Sequence, residues 1–314
     1  MTRSIFLLAA ALLAACGGGK LTADEVRNAL PQAQSAQINA PTSTAAAAQA
    51  KVAIPAGAQA LSAVGQLSPY FVDTVTLAVV VNGSVAWSLG VLRAVVDTFP
   101  PTSCAADSCT WGPGSHPLDP RDWKLVVTRV DDHFDYQLSG QLKSQPNGFV
   151  TILSGSAYPS GMPHRGHGSF QVDHDAAQAI GYTDTGTLDV TYDNRADVSV
   201  GATALGFTGA DTHTGNAVYQ YAESATGGDL EVAVHDLTLD SRLALHSRWN
   251  LAGAGRGDAA FLSGTIDVSA SECWSAAADG FKVVFYDDSL VVPAGVETDC
   301  AFLPAAPPTL TAAP

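Results

Sequence analysis

Three histidines and two carboxylates crowd the stretch Pro163-His164-Arg165-Gly166-His167, which continues to Asp173-His174-Asp175. Imidazoles grouped with a carboxylate are the material of a zinc or other transition-metal site, so His164, His167 and His174 form the candidate metal set. The spacing argues against it. In a loop-to-strand stretch, His164 and His167 do not fall on one face. A glycine-rich solvated loop accounts for the same residues more simply. The other five histidines are scattered. Four cysteines, Cys104, Cys109, Cys273 and Cys300, make an even set without a Cys-x-x-Cys pair. In an exported chain they read as two disulfides, Cys104–Cys109 and Cys273–Cys300, ahead of a four-thiolate zinc site. No Gly-x-Ser-x-Gly elbow, His-Glu-x-x-His helix, phosphate loop or calcium loop occurs. Arg256-Gly257-Asp258 matches an adhesion tripeptide, but three residues match by chance. With only five Glu, a paired-carboxylate hydrolase would have to rely on Asp. A structural or interaction role is expected ahead of catalysis, and no cofactor is expected.

The amino terminus carries an address. Arg3 supplies a positive end, Ile5 to Leu13 an apolar run too short to span a bilayer, and Leu13-Ala14-Ala15-Cys16 closes it. Leu-Ala-Ala-Cys resembles the lipobox of bacterial lipoproteins. The resemblance implies cleavage before Cys16 and acylation of Cys16, and several acyl chains exceed what stable anchoring needs. Residue 17 is Gly rather than Asp, which in that class favours the outer membrane. A membrane contact through the lipid, with an envelope protein as a possible further partner, is the expectation.

The folded part is acidic. From Pro69 onward 28 acidic residues face 11 basic ones. Such a surface repels nucleic acid and anionic headgroups, so no nucleic-acid partner is expected. A monomer is.

Those residues must be positioned by a few elements. Residues 1–15 read as the signal, 16–68 as a lipidated tether rich in Ala, Gln, Ser, Thr and Pro, and 304–314 as a frayed Ala/Pro tail. Inside the tether, Thr22 and Glu25 form a capping box with Leu21 and Val26 as its staple, and Pro31 ends the short helix. A spacer is the simpler use for it. Residues 69–303 form one domain. It starts with an apolar run of about residues 69–99 in which Val85, Leu89, Leu92, Val96 and Phe99 make one helical stripe. Pro100-Pro101 stops it. The rival hairpin rests on Asn82-Gly83 but loses its alternation at Val95-Val96. Ala86, Gly90 and Ala94 would line a second, flat face, the candidate cleft for an apolar ligand. Asp175–Ile180 could add a helical turn.

Beyond Pro101 the period is two. Runs such as Phe134–Ser139, Leu188–Tyr192, Leu230–His235 and Ala260–Val268 alternate apolar and polar residues between Asp-, Asn- and Gly-rich turns. The fold class is therefore mainly β, a large curved antiparallel sheet or barrel wrapped around one long buried helix. Strands Leu230–Leu237 and Arg242–Trp249 form a hairpin in which Glu231 faces Arg248 on the wet side. Pro100-Pro101-Thr102-Ser103, Thr110-Trp111-Gly112-Pro113, Leu153-Ser154-Gly155 and Ser271-Glu272-Cys273-Trp274 resemble uncharacterised bacterial envelope lipoproteins. That group implies a location and no activity. A lipid-anchored structural or interaction protein is the leading reading. An apolar-ligand carrier and a metal-dependent enzyme follow.

Overall fold

The computed structural model describes residues 20–41, 63–145, 148–208, 212–278, 280–290 and 292–309. The signal, Cys16 and residues 42–62 and 310–314 lie outside the described residues.

The expected capping box forms. Thr22 and Glu25 satisfy each other at the start of α1 (Ala23–Ala29). Leu21, Val26, Leu30 and Ile38 are fully buried in the main core, and a 3₁₀ turn spans Ala33–Ala36. Residues 20–41 are thus part of the domain and not a spacer. The reason is the stripe of four large apolar side chains, which the composition of the whole segment obscures.

Ser68 caps α2 (Pro69–Thr98), and Pro69 occupies its first turn. The hairpin alternative is resolved in favour of helix. Asn82 makes no turn. Its side chain holds both the N–H and the carbonyl of Ile38. Val85, Leu89, Leu92 and Val96 are buried as the stripe requires. At about 1.5–3 kcal/mol for each aliphatic side chain removed from water, this face holds the helix on the sheet. The other face stays open. Val79 is 50% exposed, and Ala86, Gly90 and Ala94 all face solvent.

The sheet is a meander of fifteen antiparallel strands in sequence order, curved but not closed. They are β1 (Ser103–Cys104), β2 (Ser108–Gly114), β3 (Arg121–Val130), β4 (His133–Leu142) and β5 (Val150–Pro159). Then come β6 (Gly166–Asp173), β7 (Thr187–Asp193), β8 (Ser199–Thr208), β9 (Thr214–Ser224) and β10 (Gly227–Asp236). The last are β11 (Ser241–Asn250), β12 (Gly255–Ser263), β13 (Ile266–Ala277), β14 (Gly280–Asp288) and β15 (Ala294–Gly295). A short helix, α3 (His174–Gln178), interrupts the meander between β6 and β7. The expected single run Ala260–Val268 is two strands, because Gly264 takes φ 57° and turns the chain between β12 and β13.

Alternation sets the faces. Tyr136, Phe170, Val190, Tyr219, Leu230 and Trp249 point inward to α2 and α1, while their neighbours point outward. In the β10–β11 hairpin Glu231 pairs with His246, and Arg248 with Asp229. The register differs from the expected one by two residues, a shift that leaves every side chain on its expected face. Both disulfides, Cys104–Cys109 and Cys273–Cys300, are present.

Candidate functional site

The outward residues of successive strands stand in register. One row runs Asp135, Ser156, Ser169, Thr191, Gly201, Gln220, Glu231, His246, Asp258 and Ser271, from β4 to β13. At its centre Gly201 offers no side chain, and the face sinks there into a depression of about 670 Å³. It opens to solvent between Tyr158 and His167 at one end and Asp229 and Glu231 at the other. A second depression of about 550 Å³ adjoins it and shares Ser169, Thr191, Gly201 and Gln220. Together they form a shallow groove across β5–β10, lined by hydroxyls, amides and carboxylates.

Its carboxylates are hydrogen-bonded. Asp193 grips Arg195, whose hydrogen bonds hold the Asp193 carboxyl below the usual range. Asp189 accepts from Gln171. At the far end the rings of His133, Tyr158 and His167 stack at 4.5 and 4.8 Å and form an aromatic wall.

The other end of the row is covered, by the segment that was expected to fray. Phe302 to Thr309 lies across the outer faces of β10–β12. Arg248 donates to the Pro304 carbonyl, and its guanidinium lies over the Phe302 ring. Asp258 accepts the Ala306 N–H, and Glu231 accepts from Thr309. His246 bridges the Ala306 carbonyl and Asp229, each at 2.8 Å. Both partners accept, so both ring nitrogens must donate. The Asp229 hydrogen bond accordingly raises the His246 pKa, against the opposing effect of burial. At Asp258 burial alone would raise the pKa. Hydrogen bonds from Ser271, the Ala306 amide and Arg256 outweigh it, and the carboxyl sits low.

This tail buries what the hairpin argument left wet. Glu231 is only 9% exposed, and Arg256 and Asp258 are sealed beneath the tail and paired at 2.9 Å. The Arg-Gly-Asp tripeptide therefore has no accessible charged groups.

The metal candidates are not brought together. His164 sits in a loop at φ 57°, where its N–H donates to Asn28 and its Nδ1 meets the Leu30 carbonyl, fastening α1. His167 lies on the outer face against Tyr158. His174 begins α3 and stacks on Trp87 of α2. Among the described residues no group of three or more His, Cys, Asp or Glu could hold a metal ion. The correction follows from β6, which separates His167 from His174 and sends them to different faces. The Ala86, Gly90 and Ala94 cleft is also corrected. The buried stripe turns these residues away from the sheet, and a Cβ built on Gly90 meets nothing within 4 Å.

The groove residues Ser169, Thr191, Gly201 and Gln220 were not singled out by sequence reasoning. Each is an ordinary outward residue of its own strand, and only the register of three strand pairings aligns them. No protein-family model matches this chain, and comparison with curated proteins and with solved structures finds no match.

Proposed function

We propose that this protein is a lipid-anchored envelope protein that acts by binding a partner on the outer face of its sheet. The groove over Gly201 carries this reading. It is large and open, it sets a row of polar side chains among apolar ones, and it lies on the face turned away from α2. Side chains of this kind fix a ligand's orientation through hydrogen bonds. Leu13-Ala14-Ala15-Cys16 supports the anchor, and Gly17 supports the outer membrane as its site. Replacing Cys16 with Ser tests the anchor. The native protein should fractionate with membranes, and Cys16→Ser should be released or keep its signal. A mature Cys16→Ser protein still bound to membranes would refute the anchor.

A further inference from the structure

The covered and open parts of the outer row are one continuous track. The chain's own tail runs along Asp258, His246 and Glu231, and the next positions in register are Gln220, Gly201 and Thr191 in the open groove. We propose that the open groove binds an extended, uncharged, proline-rich polypeptide segment of an envelope partner, in the manner in which β10–β12 hold the tail. The proposal rests on the binding role given above and specifies its partner.

The tail is the argument for that occupant. Phe302-Leu303-Pro304-Ala305-Ala306-Pro307-Pro308-Thr309 carries no charge and three prolines. The sheet grips it through its backbone: Asp258 takes the Ala306 N–H, while Arg248 and His246 face the carbonyls of Pro304 and Ala306. Backbone contacts of this kind tolerate many sequences. They need only a chain whose backbone groups are not already paired, which is the state of a polyproline-type segment. The repeat also fits. Three residues of such a segment advance about 9.3 Å, and two strand spacings cover about 9.6 Å.

The open groove continues the same row with neutral hydrogen-bonding groups. Gln220 and Ser169 are exposed, and among the described residues neither side chain makes a hydrogen bond. Both can donate to a carbonyl. Tyr158 is sandwiched between His133 and His167, so the stack offers a proline ring the outer face of His167 and the edge of Tyr158, an aromatic contact of the kind such segments use. Gly201 sets the depth. A Cβ there would stand 3.0 Å from Thr191 Oγ1 and begin to fill the floor.

The test uses the full mature protein in detergent and a fluorescent twelve-residue peptide of Pro, Ala and Thr, followed by anisotropy. Saturable binding is expected, weakened at least tenfold by Gly201→Phe and three- to tenfold by Gln220→Ala. Gly201→Ser should fall between, which keeps the test valid if the phenylalanine variant does not fold. Asp107→Asn, exposed in the turn between β1 and β2 and outside the groove, should bind as the native protein does. Failure of the peptide to bind would overturn the proposal, as would binding indifferent to Gln220→Ala and Gly201→Ser. Saturable binding of a neutral oligosaccharide in its place, competing at the same residues, would also overturn it. In that last case the binding role of the groove survives, so the two readings fail separately.

Discussion

Glu272, on β13, accepts the backbone N–H of Tyr70 at 3.1 Å and so caps the first turn of α2 from 202 residues away. Ser68, the cap residue itself, donates to the same carboxylate and accepts from the Phe71 N–H. Glu272 has no exposed surface. The helix and the late strands are therefore joined by a buried hydrogen-bond set. Glu272→Ala leaves buried donors without an acceptor and should cost roughly 2–4 kcal/mol, with Glu272→Gln costing less. Denaturant unfolding measures both. A loss under about 0.5 kcal/mol for the alanine variant would contradict the cap.

Asp73, one turn further along α2, has its carboxyl pushed up to about 6 by burial. The sign follows from that direction. A carboxyl harder to ionise in the fold than in the unfolded chain costs stability as pH rises from about 4 to about 6, and the cost persists above. Asp73→Asn should match the native protein near pH 4 and exceed it by about 1–3 kcal/mol at pH 8. Thermal unfolding at the two pH values decides it. Equal effects at both would mean that the Asp73 charge is not the cause.

His246 makes the docking of the tail depend on protons. Its raised pKa means that its contribution is complete below the ordinary histidine range and fades as pH climbs through the raised value. Asp258 works from the other side. Its lowered pKa gives a contribution present above the ordinary carboxylate range and lost as pH falls through the lowered value. Protection of the Ala306 amide from hydrogen exchange, corrected for intrinsic rate, should peak between these limits. His246→Gln, which cannot donate from two ring nitrogens, should flatten the alkaline side. A native profile already flat there would sink the idea.

Much of this fold is written in local pattern. The Val85-to-Val96 stripe, the period-two runs, the Thr22–Glu25 box and the two disulfides all depend on residues close in sequence or on compartment, and each is found in the structure. What local pattern does not carry is partnership between distant segments. Leu21, Leu30 and Ile38 are large apolar residues in a small-residue stretch, and their burial depends on an uncovered part of the sheet's inner face. The tail at Ala306 and Thr309 looks unable to fold because its own residues bury little. It is held by Asp258, His246 and Glu231, which belong to three other strands. The groove is hidden for the same reason. Gly201 reads as an ordinary strand glycine until the register places Thr191 and Gln220 on either side of it.

An open sheet has two ends, and here both are cut short. β1 and β15 are two residues long. The first is stitched to β2 by Cys104–Cys109, and the second is followed by Cys300, tied back to β13 through Cys273. A long bare strand at a sheet's end is a template for the next molecule, and these stubs deny it. Without the first sulfur bond that end would become β2, seven residues long, whereas β14 at the other end is already part-covered, its Phe281 and Val283 backbone paired with Gly65, Gln66 and Ser68. Redox state would then set how readily the chains polymerise, with light scattering under reductant as the readout.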